Sequence, residues 1–429
     1  MKKPSVCKKC GTSLRGWQRK VLFPREVYCC PHCGVLCEMC VEVYSQPVPV
    51  CKYCGSQVMH YNIYKMIRKI LIIRFRQLGD TVLATALCST LKRSFPGVEV
   101  HMVLNEGIAP LLARHPDVDR VITFSAAENG IFFKYVRKVW RVVRSGKYDV
   151  IIDMRSTVKS LFFSFSSLFS VHRPLRVGRA KWYSRLFLNY CVPATTGCAI
   201  DKNFQFAAAL SAYAPIKRVD DFRLYVSEGE VQAMRECMCR NGVDFSKPVL
   251  LVGVTTKLLH KRWNMGYMHT VLRRLLARYG SVQMIFNYAP GREEDDAWEL
   301  FEELGRPSAV KMGVEAHSLR SLMALCANCT FYFGNEGGAR HIAQALGVPS
   351  YAIFSPVADK SVWLPRTAVP AHGVGCDYDS QTADYYALFD AITPDAVCRE
   401  LFPLLDEQFA AVLFSKSQQG LSPSSAANF

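Results

Sequence analysis

An acidic side chain between a short apolar run and a helical pattern is the first feature that could do chemistry. The run at residues 70–73 has the β-branched and aliphatic residues of a buried strand, and a turn then leads to Gly79 and Asp80. Leucines follow with helical spacing as far as Leu91. A carboxylate here would lie at the carboxyl edge of a sheet, where it could take a proton from a ligand. Asp is also a favoured helix N-cap, so both interpretations of Asp80 stay open.

A glycine-rich turn at residues 334–338 is the second such feature. Gly337 and Gly338 would let backbone amides approach an anion, and the N-terminus of the following helix would add partial positive charge. His341 falls in the first turn of that helix. It could reach the same anion, or it could be an ordinary core histidine.

A basic patch follows another strand pattern, where residues 255–263 read TTKLLHKRW. A cation such as Lys261 can stabilise negative charge that develops on a departing group. The alternative is a solvated Lys-Arg pair on the surface.

Four C-x-x-C pairs lie within the first 60 residues. Their members are Cys7, Cys10, Cys30, Cys33, Cys37, Cys40, Cys51 and Cys54. Four thiolates close one tetrahedral zinc site, so the pairs predict two structural zinc ions. Joining the first pair with the second and the third with the fourth fits the spacing, and so does a cross-braced pairing. A module this short, with few Leu or Ile, needs such sites in order to fold.

Strand and helix patterns alternate along the rest of the chain, which predicts an α/β architecture with mostly parallel, doubly wound sheets. Strands are expected at residues 70–73, 98–104, 118–124, 148–153, 248–254, 282–286, 309–312, 330–333 and 351–354. We predict a cysteine-rich module at 1–60, α/β domains at 69–228 and 247–405, and a disordered tail at 415–429. The cleft between the two α/β domains is the expected ligand site. Neither domain carries a dinucleotide fingerprint or a P-loop, so a nucleotide there would not be held by a dinucleotide fingerprint.

The net charge of +17 is concentrated in two zones, because residues 1–69 carry +9 and residues 131–185 carry +11. Each zone predicts an anionic partner, such as a membrane surface, nucleic acid or acidic glycan, unless it is a solvated helix face. Residues 157–190 combine aromatic and basic side chains, which suits a membrane interface or an amphiphilic, acidic substrate. A buried helix followed by a solvated loop is the alternative. We see neither a bilayer-spanning run nor a signal-peptide pattern, so we expect a cytoplasmic protein.

Three of these patches match one known family. Residues 74–87 follow the pattern R-x-x-x-L-G-D-x-x-x-x-x-x-L, in which the D is Asp80. This pattern resembles the opening of the heptosyltransferases of glycosyltransferase family 9. Residues 331–349 resemble that family's D-[ST]-G-x-x-H-L-A-x-A-L-G-x-P signature, with Glu336 replacing the Asp and Gly337 replacing Ser or Thr. Lys261 and Trp263 match its K-x-W.

The resemblance implies a GT-B fold, in which two Rossmann-like domains face a cleft, preceded here by a small zinc-ribbon-like module. It implies that Asp80 is the catalytic base and that Lys261 neutralises a departing nucleotide diphosphate. The implied donor-binding residues are Thr256, Glu294, Asn335, Glu336, Gly337, Gly338 and His341. Arg76, Arg176 and Arg179 are expected on the acceptor side.

The expected function is that of an inverting glycosyltransferase acting at the cytoplasmic face of the inner membrane, in peripheral contact with it. By resemblance the donor is ADP-heptose, and the acceptor is a lipid-linked saccharide of the lipopolysaccharide type or another acidic glycan. No catalytic metal is expected, since Lys261 and a helix dipole supply positive charge. The alternative is a zinc-ribbon nucleic-acid-binding protein with an inactive α/β body. The basic first module favours it, and the scarcity of aromatic side chains there for base stacking opposes it.

Overall fold

The computed structural model describes residues 27–29, 41–42, 50–51, 59–61, 67–75, 77–377 and 384–419. The chain divides into two compact units, Met1–Arg68 and Lys69–Phe429. Within the first unit, β1 (Val27–Cys29) pairs antiparallel with β4 (Met59–Tyr61), and β2 (Val41–Glu42) pairs antiparallel with β3 (Val50–Cys51).

Six parallel strands form the first sheet of the second unit. In chain order they are β5 (Lys69–Ile73), β6 (Glu99–Asn105), β7 (Arg120–Phe124), β8 (Val150–Asp153), β9 (Leu175–Arg179) and β10 (Tyr190–Val192). Their spatial order is β10-β9-β8-β5-β6-β7. Strands β6 and β7 therefore follow β5 on one side, and β8, β9 and β10 follow it on the other. The strand order reverses between β5 and β8. Ligands bind at such a reversal in doubly wound sheets, beyond the carboxyl ends of the two strands.

Five helices belong to this half: α1 (Leu78–Ser94), α2 (Ala126–Gly130), α3 (Phe132–Gly146), α4 (Leu161–Leu168) and α5 (Ala199–Ala208). Short 3₁₀ helices occur at Glu106–Leu112 and Ser184–Leu186. α1 is buried along most of its length, because it packs on α5 as well as on the sheet. It ends at Ser94 as the Pro-Gly pair predicts, since Gly97 takes a left-handed φ of +76°.

The structure corrects the second interpretation of residues 157–190, a buried helix followed by a solvated loop. This segment contains α4, but it also supplies β9 and β10 to the sheet. The arginines at 176 and 179 therefore lie in a strand and not in a solvated loop. The β-branched content of β9 is a single valine, so its sequence carried little signal of a strand.

Five parallel strands form the second sheet: β11 (Val249–Gly253), β12 (Gln283–Phe286), β13 (Phe331–Asn335), β14 (Ser350–Ile353) and β15 (Ala371–Val374). Their spatial order, β12-β11-β13-β14-β15, reverses between β11 and β13. The expected strand at residues 309–312 is wrong, because only an isolated bridge joins Met284 to Val310. β15 was not predicted.

The helices of this half are α6 (Glu228–Arg240), α7 (Met265–Arg278), α8 (Arg292–Glu303), α9 (Leu319–Ala327), α10 (Gly338–Ala345), α11 (Lys360–Trp363), α12 (Tyr385–Asp390) and α13 (Pro394–Gln419). α6 lies between the two predicted α/β domains but packs on α9, and Asn328 Nδ2 donates to the Val231 carbonyl at 2.9 Å. α13 continues to Gln419, so it extends into the segment expected to be a tail. No described helix is long and apolar enough to cross a membrane.

The two halves pack against each other inside the second unit. α1 contacts α10, and the 3₁₀ helix Glu106–Leu112 contacts α9. The Leu224 N–H also donates to the carbonyl of Ala345 at 3.1 Å. The carboxyl edges of the two sheets are thereby held close to one another, and the candidate site lies there.

Candidate active site

Asp80 occupies the first turn of α1, two residues after the helix begins at Leu78. The N-cap position belongs to Gln77, so the capping interpretation of Asp80 is wrong. Its carboxylate instead accepts a short hydrogen bond from Arg74 Nη2, and the two side chains are only 16% and 13% exposed. Burial lowers the pKa of the Arg74 guanidinium, and the charge of Asp80 opposes that shift. The arrangement gives a largely buried carboxylate held in one orientation by a cation.

The N-termini of α1 and α10 meet at a contact that only glycines permit. A Cβ on Gly79 would lie 2.6 Å from Cδ2 of His341, and one on Gly338 would lie 2.8 Å from Cδ2 of Leu78. We call these four residues the helix junction. Helix N-termini carry partial positive charge, so the junction concentrates two of them at one place. Asp80 directly follows Gly79, which brings the acidic residue of the first half beside the glycine turn of the second.

Glu336 and Lys261 form an ion pair on the other side of the helix junction. Glu336 Oε2 lies 3.5 Å from Lys261 Nζ, and its Oε1 lies 3.9 Å from His341 Nε2. Burial by itself would raise the pKa of Glu336. The hydrogen bond of His341 and the charges of Lys261 and Arg340 outweigh that effect and lower it to about 2. Glu336 is therefore ionised at neutral pH.

Arg340 is a fully buried cation that the sequence analysis did not single out. Its Nη1 donates to Gln344 Oε1 at 2.7 Å, and its Nη2 donates to the Trp363 carbonyl at 2.7 Å and to His341 Nδ1 at 2.6 Å. Because Nδ1 accepts, we assign the ring proton to Nε2, the nitrogen that faces Glu336. Burial, together with the charge of Arg340, lowers the pKa of His341 to about 4, so the ring is neutral at pH 7. We refer to Lys261, Glu336, Arg340 and His341 as the polar cluster.

Two predicted donor-binding side chains are engaged elsewhere. Asn335 is buried; its Oδ1 accepts from the Trp263 N–H at 2.8 Å, and its Nδ2 donates to the carbonyls of Gly253 and Val254. All its polar capacity is spent on joining the Lys261 loop to the ends of β11 and β13. The Thr256 hydroxyl donates to the Leu258 carbonyl at 2.8 Å and so shapes the same loop. Both side chains help to position Lys261, and the Thr256 hydroxyl oxygen can still accept a hydrogen bond from a ligand.

Glu293 and Glu294, at the start of α8, make different contacts. Glu294 accepts from the Gly291 N–H at 3.4 Å and so supports the first turn of its own helix. Glu293 instead accepts from the Thr255 hydroxyl at 3.1 Å, at the end of β11. The residue that reaches the carboxyl edge of the second sheet is therefore Glu293, the neighbour of the one predicted.

A pocket of about 410 Å³ opens at the reversal point of the first sheet, and it was not predicted. Its wall combines Phe75, Asn105, Asn129, Asp153, Arg155 and Lys159. The buried Asp153 accepts the N–H groups of Arg155 and Ser156 with Oδ1, while its Oδ2 has no hydrogen-bond partner. The only available signal was the position of Asp153 at the end of a strand. Amides, an orphan acceptor, two cations and an aromatic ring are the mixture of polar and apolar groups that lines ligand pockets.

Of the predicted acceptor-side arginines, the structure describes Arg176 and Arg179, and backbone carbonyls engage both side chains. Arg176 donates to the carbonyls of Phe187 and Pro174, and Arg179 donates to the Lys202 carbonyl and lies 4.8 Å from the centre of the Phe206 ring. Burial lowers the pKa of both guanidinium groups. These two side chains are engaged in holding β9 to its surroundings. Arg76 lies outside the described residues.

Seven of the eight predicted zinc ligands lie outside the described residues. The exception is Cys51, whose backbone lies in β3. In the part of the chain whose side chains are described, no group of three or more His, Cys, Asp or Glu could hold a metal ion. The zinc sites stay a prediction.

Two parallel sheets, with polar groups at each reversal point and a helix junction between them, define an α/β protein that is similar to the GT-B type. Two solved structures share this fold. A glycosyltransferase of family 9 from Veillonella parvula has a TM-score of 0.69 at 17% identity, covering 80% of this chain and 99% of that one. An E. coli heptosyltransferase with ADP-2-deoxy-2-fluoro heptose has a TM-score of 0.57 at 19% identity, covering 77% and 98%.

The chain belongs to glycosyltransferase family 9 (heptosyltransferase), whose sequence model matches residues 136–368. It is therefore a glycosyltransferase, and the expected α/β architecture with parallel sheets is confirmed. The chain is also similar to lipopolysaccharide heptosyltransferase 1 of Pseudomonas aeruginosa, with 24% identity over 303 residues that cover 67% of this chain and 79% of that protein.

Proposed function

We propose that this protein is an inverting transferase that moves heptose from ADP-heptose to an acidic, lipid-linked saccharide of the lipopolysaccharide type. One observation carries the proposal: the contact of Gly79 with His341 brings Asp80 next to the polar cluster. A base for the acceptor and cations for a leaving diphosphate then lie on two sides of one helix junction. The ADP-heptose analogue in the related E. coli structure supports the choice of donor.

Asp80 acts as the base in the proposed reaction. It takes the proton of the acceptor hydroxyl while that oxygen attacks the anomeric carbon of the donor from the side opposite the diphosphate. The new glycosidic bond forms as the bond from carbon to phosphate oxygen breaks, so the anomeric configuration inverts. Arg74 holds the Asp80 carboxylate in place for this step.

The departing ADP carries the electron pair of the broken bond. Lys261 Nζ and the amides at the start of α10, after Gly337 and Gly338, stabilise that added charge. The ionised Glu336 would repel a phosphate, so we assign its carboxylate to the hydroxyl groups of the donor sugar. Glu336 also pairs with Lys261, so a bound diphosphate would compete with Glu336 for the charge of that lysine.

The pocket at the reversal point of the first sheet is the proposed place of the acceptor sugar. It lies in the half that carries Asp80, and its Arg155 and Lys159 suit a carboxylate or phosphate on the acceptor. An acceptor anchored in lipid places the enzyme at the cytoplasmic face of the inner membrane, in peripheral contact with it.

Donor binding and transfer test this proposal separately. In thermal-shift measurements ADP should stabilise the protein, and UDP and GDP at equal concentration should do so much less. Incubation with ADP-heptose and a heptose-deficient lipopolysaccharide precursor should give a product of inverted anomeric configuration by NMR. A clear preference for UDP or GDP, or retention of configuration, would refute it.

We also propose that residues 1–60 bind two zinc ions with a structural role, held by the eight cysteines of the C-x-x-C pairs. Each closed site takes four thiolates, so metal analysis should find about two zinc ions per chain. Replacing Cys30 with Ser should unfold this module and leave ADP binding intact. Absence of zinc from protein purified under reducing conditions would contradict the proposal.

A further inference from the structure

A continuous row of aromatic side chains lies across α3 and α4 on the surface of the first half. Its members are Phe132, Phe133, Trp140, Phe162, Phe165 and Phe169, and we call them the aromatic ridge. Ring centres are 5.5 Å apart between Phe132 and Phe162, which joins the two helices. Trp140 and Phe169, 5.8 Å apart, join them a second time. The ridge is thus one surface built from two elements.

The ridge is open to solvent although it is apolar. Phe133 is 83% exposed and Phe169 is 59% exposed, and the nearby aliphatic residues Val171 and Leu186 are 95% and 79% exposed. Phe165 links the ridge to this neighbourhood through Phe187, at 6.0 Å. Monomeric soluble proteins rarely leave so many large apolar side chains together in water, so the ridge indicates a binding surface.

Cations flank the ridge on α3 and at the residue that follows it. They are Lys134, Arg137, Arg141, Arg144 and Lys147, all exposed, and we call them the basic flank. Phe133, Arg137, Trp140 and Arg144 recur at helical spacing and share one side of α3. Among the described residues, none of the five cations of the basic flank forms an ion pair with an acidic side chain. Their charge is therefore available to an anionic partner.

We infer that the aromatic ridge and basic flank dock the enzyme on an anionic lipid bilayer, with the rings among the acyl chains and the cations among the headgroups. This combination is the one that interfacial membrane binding uses. Nucleic acid fits less well, because most neighbouring rings meet edge to face and exposed aliphatic residues add surface that bases do not stack on.

Docking there would bring the active site to its lipid-linked acceptor. The proposed acceptor pocket shares its scaffold with the ridge, since Tyr135 of α3 donates to the carbonyl of the pocket residue Lys159 at 2.8 Å. Only this link between docking and the acceptor rests on the proposed function. The surface itself can be tested without donor or acceptor.

Vesicle sedimentation of the full chain tests the surface. The wild type should bind vesicles of phosphatidylethanolamine and phosphatidylglycerol much better than vesicles of phosphatidylcholine, and added salt should weaken that binding. The double variant Arg137→Glu/Arg141→Glu should lose at least about tenfold in affinity, since each cation near an anionic surface contributes a severalfold effect. Phe133→Ser/Phe169→Ser should also lose at least about tenfold.

Matched controls lie on the second half. Arg240→Glu/Arg273→Glu changes the net charge equally, and Trp298→Ser removes an exposed aromatic; each should bind vesicles as the wild type does. ADP affinity, measured by calorimetry, should be unchanged in every variant. Failure of the wild type to bind ADP would refute the proposed function and leave the vesicle result valid.

Three results would overturn the inference. These are equal binding of the wild type to both kinds of vesicle, unchanged binding in the ridge and flank variants, and binding to single-stranded RNA but not to vesicles. Sedimentation velocity adds a fourth: if the ridge variants convert a wild-type dimer to a monomer and vesicles are not bound, the ridge is a contact between copies of this chain.

Discussion

Replacing Asp80 with Asn removes the proposed base and, at the same time, the partner of a mostly buried arginine. The loss of a positioned base costs about 10²–10⁴-fold in turnover, which corresponds to about 3–5 kcal/mol in the barrier. The same change leaves Arg74 without its counter-ion, and both side chains are less than a fifth exposed. We therefore expect unfolding to become easier by about 1–3 kcal/mol, below the cost of a fully buried pair because some water reaches this one.

The two effects can be separated with a double variant. In Arg74→Gln/Asp80→Asn neither charge remains, so much of the lost stability should return, whereas turnover should stay as low as in Asp80→Asn. Stability is measured by urea unfolding, and turnover by ADP release at saturating donor and acceptor. ADP affinity should change little in either variant, since the proposed reaction places Asp80 on the acceptor side.

Two results would refute the reasoning. If folded Asp80→Asn keeps more than about a tenth of wild-type turnover, Asp80 is not the base. If turnover recovers together with stability in the double variant, the unpaired charge of Arg74 was the cause of the loss, and the carboxylate has only a structural role.

Three further predictions concern the second half. Lys261→Ala should weaken ADP binding in calorimetry by about tenfold or more and also lower turnover, because the cation acts before and during departure of the diphosphate; unchanged ADP affinity would contradict this. The pKa of His341 is about 4 in the folded chain and ordinarily 6.5, so stability should fall as pH drops from 6.5 to 4, by about 3 kcal/mol from this ring, and His341→Gln should flatten that urea-unfolding profile. Gly338→Ala should destabilise the fold by about 1–3 kcal/mol through its clash with Leu78, whereas Gly337→Ala, with open space around it, should not.

Local patterns in the sequence were sufficient for the framework. Most strands of both sheets and the helix after Asp80 follow from short-range periodicity, which depends on neighbours in the chain. The same holds for the end of α1 at Ser94, where a Pro-Gly pair stops the helix. The sequence analysis did not predict β9, and it predicted a strand at residues 309–312 that does not form. Strand formation depends on pairing with neighbouring strands as well as on local propensity.

Only the tertiary structure decided what each polar side chain does. Asn335 and Arg176 were expected to meet substrates, but each side chain is engaged by backbone groups of the protein. The sequence did not single out Arg340 or Asp153, because their importance depends on burial. Arg340 is buried against His341, and the buried Asp153 Oδ2 has no hydrogen-bond partner.

The sequence by itself determined the family, the two α/β halves and the residue types at the ends of their strands, because these depend on local order. It could not determine that Gly79 touches His341, since that contact joins residues more than 250 positions apart through the packing of two helices. Folding places a carboxylate, two helix N-termini and a lysine around one point, and the chemistry proposed for this enzyme depends on that proximity.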